Sequence, residues 1–150
     1  MKTLVIYDSA YGNTAKIAQA IAEACETKAL LIKDVEPADL DAIELLIVGS
    51  PTQSGKPTEA MQAFLDELPS LENVSVAAFD TRFKSWWVKI VGNAAEKIAV
   101  ALQQKGGNLV LPGEGFIVNA TRGPLFSEEL DRATVWAHRI VNVGSKIHDL

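Results

Sequence analysis

The chain has 150 residues, of which 48% are hydrophobic and 22% charged, a balance typical of one soluble globular domain. Its net charge of −5 at pH 7 argues against nucleic-acid binding and against binding to an anionic membrane surface. No apolar run reaches the roughly 18–20 residues of a membrane span. The first residues lead into a predicted strand, so we expect no signal peptide. The single cysteine, Cys25, excludes an intrachain disulfide, so we expect a cytoplasmic protein.

Apolar runs alternate with amphipathic stretches along the chain, and each alternation predicts a strand followed by a helix. The predicted strands are Leu4–Tyr7, Ala29–Lys33, Glu44–Gly49, Val74–Phe79 and a split fifth strand, Asn108–Leu111 with Phe116–Val118. The predicted helices are Thr14–Glu26, a short Pro37–Ile43, Thr58–Leu68, Ala94–Gln104 and Ser127–Val143. Five such units in succession predict an α/β fold, a doubly wound parallel sheet with helices on both faces.

Ligands of such sheets bind beyond the carboxyl ends of the strands, where the strand order reverses. The segments that follow strands 1, 3 and 4 are therefore the candidate site. They are Asp8–Thr14, Ser50–Pro57 and Asp80–Gly92.

The loop after the first strand carries the most informative pattern in the chain, Ser9-Ala10-Tyr11-Gly12-Asn13-Thr14. Backbone N–H groups at a helix N-terminus have no intrahelical partner, and the helix dipole attracts an anion there by about 0.3–1 kcal/mol. Two hydroxyls and a glycine that permits close approach suit a bound phosphate. The loop carries no Lys or Arg, and such neutral donors suit a phosphate that is bound permanently, as in a cofactor, at least as well as one that is cleaved. Its spacing is not that of a Walker A loop. The alternative is a plain strand-to-helix turn in which Thr14 caps the helix.

The other two loops suit a planar ligand. Residues 49–58 are rich in Gly, Pro, Ser and Thr, which control backbone shape and contribute little to a core. Phe83, Trp86 and Trp87 cluster after the fourth strand, where they could cover an aromatic ring. The alternative for the tryptophans is packing beneath their own loop or against a partner chain.

Together these loops resemble those of the flavodoxin family of flavin mononucleotide (FMN) proteins. The segment from Val5 to Ile21 fits the family's phosphate-loop pattern, and Gly-Ser-Pro-Thr at 49–52 is typical of it. Phe-Asp-Thr-Arg at 79–82 and Gly-Pro-Leu at 123–125 resemble a branch of small flavodoxin-like proteins. The similarity covers nearly the whole chain and implies the short-chain type, with five parallel strands in the order 2-1-3-4-5.

The resemblance also implies which residues would hold FMN. The phosphate would lie against Ser9, Ala10, Tyr11, Gly12, Asn13 and Thr14. One face and the N5 edge of the flavin would lie against Pro51, Thr52, Gln53, Ser54, Gly55 and Lys56. The pyrimidine edge and the other face would lie against Asp80, Thr81, Arg82 and Phe83. Two positions depart from well-studied members: Tyr11 stands where many have Thr, and Gln53 stands where many have a stacking aromatic residue.

The function that the resemblance implies is electron transfer between redox partner proteins, a reductase and an acceptor, by a monomer or weak homo-oligomer. Two alternatives remain open. One is an FMN-dependent NAD(P)H:quinone-type reductase, in which the Trp86–Trp87 pair walls the pocket. The other is a flavodoxin-like module that has lost FMN and acts through its surface. Cys25 is expected on the buried face of the first helix as a small core residue.

Overall fold

A single six-stranded sheet, in which every strand pairing is parallel, forms the centre of the molecule. We describe residues 1–84 and 92–148 of a computed structural model, with the side chain of His148 excepted. The strands are β1 (Thr3–Tyr7), β2 (Ala29–Leu31), β3 (Leu45–Pro51), β4 (Ser75–Phe83), β5 (Asn108–Leu109) and β6 (Glu114–Val118). Their order is β2-β1-β3-β4-β5, and β6 also pairs with β4. The predicted strand order 2-1-3-4-5 is confirmed.

Within the described residues four α-helices cover the sheet: α1 (Asn13–Ala24), α2 (Glu59–Glu67), α3 (Ala94–Gln104) and α4 (Glu129–His148). The predicted bounds of α3 are confirmed at both ends, because Asn93 caps its start and Gly106, at φ +99°, follows its end. In the described part of the chain, no helix combines the length and apolarity needed to cross a bilayer.

The sheet separates two apolar cores because successive residues of a strand point to opposite faces. On one face Ile6, Val48 and Val76 pack against α2 and α3. On the other face the strands pack against α1 and α4, where the rings of Phe79, Phe116 and Trp136 meet edge to face, 6.0–6.3 Å between centroids. This double cover explains why the central strands are apolar throughout rather than alternating.

Several predicted elements were wrong in extent. The segment expected as helix Pro37–Ile43 is a 3₁₀ turn, Pro37–Leu40, and the second strand ends at Leu31 because a 3₁₀ turn follows it. The fifth strand is split as predicted, because β5 pairs with the start of β4 and β6 with its end, but β5 ends at Leu109 and β6 begins at Glu114. The last helix lies two residues later at its start and runs five further at its end.

The largest difference that affects the site concerns β3 and β4. Both run further than expected, so Ser50 and Pro51 belong to β3, and Asp80–Phe83 belongs to β4 rather than to a loop. The cause is β6, which pairs with β4 from Phe79 to Phe83 and so extends the ladder past the apolar core. The sequence pattern did not predict this pairing, because Asp80–Arg82 continues the strand with polar residues where the apolar run has ended.

Candidate functional site

Side-chain hydrogen bonds organise the first loop. The Asp8 carboxylate accepts from the Ser9 N–H at 2.9 Å and from the Thr58 hydroxyl at 2.6 Å, which joins this loop to the start of α2. The Ser9 hydroxyl oxygen accepts from the Gly12 N–H at 3.1 Å. The chain is thereby held in one conformation between β1 and α1.

The start of α1 is not capped by a side chain. Gly12 occupies the N-cap position at φ +92°, a left-handed conformation that residues with a Cβ rarely adopt. It has no side chain that could accept a hydrogen bond from the first turn. The first intrahelical bond runs from the Lys16 N–H to the Gly12 carbonyl, and the first turn contains no acidic residue. The N–H groups of Asn13, Thr14 and Ala15, with the positive end of the helix dipole, are therefore available to an anion. Thr14 is not the cap that the sequence left open as an alternative.

The start of α3 is the opposite case, because protein oxygens accept from its first three N–H groups. Thr52 Oγ1 accepts from the Ala94 N–H, Asp80 Oδ2 from the Ala95 N–H, and Asn93 Oδ1 from the Glu96 N–H, each at 2.9 Å. Of these two neighbouring helix starts, only that of α1 suits an external anion.

Asp80 is fully buried, and its carboxylate forms a two-point ion pair with Arg82, with Nε–Oδ1 at 2.7 Å and Nη2–Oδ2 at 3.0 Å. Burial raises the pKa of Asp80 above its ordinary value, although Arg82, the Ala95 N–H and the Thr52 hydroxyl oppose the shift. Its oxygens are thus engaged within the protein. Asp80 supports the site from beneath and is not among the residues that line the cavity.

Thr14 and Thr81 join the first and third segments. Their hydroxyl oxygens lie 2.8 Å apart, both side chains are buried, and either hydroxyl can be the donor. If Thr81 donates, the Thr14 proton is free to be donated to a ligand.

The second segment forms a tight turn at the edge of the site. Gln53 and Lys56 exchange two backbone hydrogen bonds, of 2.8 and 3.0 Å, and the residues between them, Ser54 and Gly55, have φ of +51° and +78°. Positive φ at both central positions is the pattern of a type I′ turn, which explains a glycine here. The Lys97 ammonium, on α3, donates to the Gly55 carbonyl oxygen at 2.6 Å.

These segments enclose a cavity of about 160 Å³ at the carboxyl ends of the strands. Of the sixteen predicted site residues, ten line it: Ala10, Tyr11, Asn13, Thr14, Pro51, Thr52, Gln53, Thr81, Arg82 and Phe83. The other six predicted residues, Ser9, Gly12, Ser54, Gly55, Lys56 and Asp80, lie around or beneath the cavity without lining it. The three predicted segments thus meet at one place.

The segment between β6 and α4 also reaches the cavity, and the sequence analysis missed its contribution. Val118 and Thr121 complete the lining, and the neighbouring Arg122 places its guanidinium carbon 5.5 Å from the centre of the Tyr11 ring. The only sequence signal was the Gly-Pro-Leu resemblance at 123–125, which says nothing of what the segment contacts.

The remaining candidate residues do not line the cavity or lie outside the residues described. Trp86 and Trp87 lie outside the described residues, and His138 is exposed on α4. Cys25 follows the end of α1 and is partly buried rather than midway along the buried helix face. Within residues 1–84 and 92–148, no cluster of His, Cys, Asp or Glu could hold a metal ion.

A model of the flavodoxin family matches residues 5–123, so the chain belongs to the flavodoxin family. Proteins of this family bind flavin, typically FMN, and act in electron transfer. A search of curated proteins found no match.

Solved structures support the fold. Oxidised flavodoxin 2 from Bacillus cereus is 22% identical, with a TM-score of 0.77 over 95% of this chain and 99% of that one. The flavodoxin, WrbA-like protein from Agrobacterium tumefaciens is 23% identical, with a TM-score of 0.80 over 97% of this chain and 98% of that one. Rubredoxin oxygen:oxidoreductase from Desulfovibrio gigas is 20% identical, with a TM-score of 0.77 over 97% of this chain but 36% of that one.

Proposed function

We propose that this protein binds FMN, with the phosphate at the start of α1 and the flavin ring in the adjoining cavity, and carries electrons between redox partner proteins. The observation that carries the proposal is the uncapped start of α1, which opens onto this cavity while protein oxygens occupy the neighbouring start of α3. A phosphate needs hydrogen-bond donors and positive potential, and this helix start offers both.

The residues present fit the two ends of FMN. Phosphate oxygens would accept from the N–H groups of Asn13, Thr14 and Ala15, and the Thr14 hydroxyl would add a donor while accepting from Thr81. The flavin ring would lie among Pro51–Gln53 and Thr81–Phe83. Their backbone groups would offer polar contacts, and the side chains of Pro51 and Phe83 would offer apolar ones.

FMN would supply the electron-carrying chemistry, and the protein would set the environment of the ring. The described residues enclose only about 160 Å³, less than the roughly 300–1,000 Å³ of a typical ligand pocket. Phe83 is 45% exposed at the rim of this cavity. A ring held here would keep an exposed edge, which suits electron transfer to a docked protein.

Absorption of the purified protein and titration with FMN, with flavin fluorescence as the readout, test the proposal. We expect a yellow protein or submicromolar binding, about −8 kcal/mol or better. Ala10→Glu places a carboxylate at the exposed edge of the phosphate loop and should weaken FMN binding at least about tenfold. Gln19→Glu makes the same charge change on the exposed face of α1 and should leave binding unchanged. Indifference of the wild type to FMN would overturn the proposal and favour a module that acts through its surface.

Steady-state oxidation of NADH or NADPH with a quinone separates a carrier from a reductase. A carrier should show no turnover beyond that of free FMN at the same concentration, and turnover that depends on the protein would assign a reductase instead. Sedimentation at rising concentration tests the expected monomer or weak homo-oligomer.

A further inference from the structure

Among the described residues that line the cavity, no uncompensated cation would meet a bound phosphate. Among the residues that line it, Arg82 alone carries a charge, and both of its bonded nitrogens are committed to the buried Asp80 carboxylate. The loop from Ser9 to Thr14 has no Lys or Arg, and the protein is acidic overall. The described lining would therefore meet the charge of a phosphate with neutral donors, the backbone N–H groups and the Thr14 hydroxyl, together with the helix dipole.

Arg122 is the cation that the tertiary structure brings to this loop. Its guanidinium carbon lies 5.5 Å from the centre of the Tyr11 ring, within the range of a cation–π contact. Tyr11 is itself a cavity-lining residue of the phosphate loop and is 54% exposed. Arg122 is itself exposed and does not line the cavity, so the Tyr11 ring is the contact that holds its guanidinium against the phosphate loop.

The segment that carries Arg122 is held in shape by its own backbone hydrogen bonds. Asn119 N–H donates to the Pro124 carbonyl at 2.8 Å, and Gly123 N–H donates to the Ala120 carbonyl at 2.9 Å, so the segment closes on itself. Gly123 lies so close to Asn13 that a Cβ there would come within 2.6 Å of the Asn13 amide oxygen. The segment thus rests directly on the first residue of α1.

The base of the segment is fixed by an ion pair. The Glu129 carboxylate accepts from the Ile117 N–H at 2.6 Å and from the Arg132 guanidinium at 2.7 and 3.0 Å. Burial raises the pKa of Glu129, but the bonds from Arg132 and Ile117 and the Arg132 charge together hold it below its ordinary value. Glu129 is therefore ionised near neutral pH and ties β6 to the start of α4.

We propose that Arg122, stacked on Tyr11, supplies the positive charge for the phosphate of the bound flavin and makes the site prefer a phosphorylated flavin over riboflavin. This inference rests on the proposed function. Arg122 acts at the phosphate end only, so its effect should be absent for a flavin that lacks the phosphate.

The test measures dissociation constants of FMN and riboflavin for the full chain at low and high salt. Arg122→Gln should weaken FMN about three- to thirtyfold at low ionic strength, less as salt shortens the Debye length from about 30 Å to about 3 Å, and should leave riboflavin unchanged. Arg122→Lys should retain most of the FMN affinity. Arg139→Gln makes the same charge change on the exposed surface of α4 and is the control. Equal FMN affinity of the Arg122→Gln and Arg139→Gln variants, or an equal loss for riboflavin, would overturn the inference.

The contact between Tyr11 and Arg122 is tested in the same assay. Tyr11→Phe keeps the aromatic face and should retain the preference for FMN over riboflavin, whereas Tyr11→Leu should reduce that preference. Combining Tyr11→Leu with Arg122→Gln should cost little beyond Arg122→Gln alone, because the two residues act as a unit. Fully additive losses would contradict the stacked arrangement.

Inorganic phosphate separates failure of this inference from failure of the proposed function. If the wild type binds neither flavin, the proposed function fails, and a phosphate titration followed by the amide signals of Asn13, Thr14 and Ala15 decides the inference alone. Shifts that Arg122→Gln abolishes would support it, and the absence of shifts in the wild type would overturn it as well.

Discussion

Lys97 and Gly55 are 42 positions apart in the sequence, yet the Lys97 ammonium donates to the Gly55 carbonyl oxygen at 2.6 Å. The bond ties the turn of residues 53–56 to α3, which is itself held by Asp80 and Thr52. The Lys97 side chain thereby fastens this turn, at one edge of the cavity, to a helix that packs on the core.

Lys97→Met should loosen this turn without unfolding the protein. Loss of a hydrogen bond from a charged donor near the surface costs about 1–1.5 kcal/mol, which is about five- to tenfold in a local opening equilibrium. We therefore expect the N–H groups of Gln53 and Lys56 to exchange about five to ten times faster with deuterium. Lys105→Met is the matched control. Lys105 donates a hydrogen bond of 2.8 Å to the Asp66 carbonyl oxygen, and this bond does not involve the turn. Unchanged exchange at Gln53 and Lys56 would show that the bond does not restrain the turn.

The Thr14–Thr81 hydroxyl pair should matter for stability as well as for position. Thr81→Val leaves the buried Thr14 hydroxyl without this partner, and we expect a loss of about 1–3 kcal/mol in the free energy of unfolding by urea. The double variant, with valine at both positions, should recover much of that loss because neither site then buries an unpaired hydroxyl. Thr134→Val, on α4, should change the free energy by less than about 0.5 kcal/mol. A double variant as unstable as the sum of both single variants would contradict this account.

Arg82→Met should be among the most damaging single substitutions near the cavity. It leaves the fully buried Asp80 carboxylate without its cation, and such losses amount to about 3–5 kcal/mol. Burial already raises the pKa of Asp80, so the Asp80 carboxyl group stays protonated to higher pH in the folded state than in the unfolded chain. The contribution of Asp80 to the free energy of unfolding is therefore present at low pH and is lost as pH rises through its folded pKa. Removal of Arg82 should make this pH-dependent loss larger.

Urea unfolding across a pH series measures this effect. The deficit of Arg82→Met relative to the wild type should grow as pH rises from about 4 towards neutrality. Arg139→Met, at an exposed position, should track the wild type throughout. A deficit that is constant or shrinks with rising pH would contradict the role assigned to the pair.

Cys25 should be unreactive in the folded protein. Burial raises the pKa of its thiol from 9.0 to about 11, so the thiolate at about pH 8 should be about a hundredfold scarcer than in the unfolded chain. Alkylation by iodoacetamide, followed by mass spectrometry, should therefore be about a hundred times slower than in urea. Rapid alkylation of the folded protein would show that the thiol is more exposed than it is in this structure.

Local sequence pattern determined the alternation of strands and helices and the placing of three loops at one edge of the sheet. Apolar runs report burial on both faces, and Asn93, Thr58 and Gly106 report helix ends, since each of these effects acts over a few neighbouring residues. The strand order followed from the family resemblance together with the rules for parallel crossovers. The three segments predicted to meet at the site do so because the carboxyl ends of parallel strands lie at one edge of the sheet.

Only the tertiary structure decided how the side chains within those segments are used. It turned Asp80 inward to Arg82 and the start of α3, and it engaged the Thr14 hydroxyl with Thr81. It also brought Arg122 from a distant segment onto Tyr11. These pairings span up to 111 positions of the sequence, from Tyr11 to Arg122, and no local periodicity encodes a partner at that distance. They depend on which strand ends lie side by side, because that adjacency decides which polar groups must satisfy one another out of water.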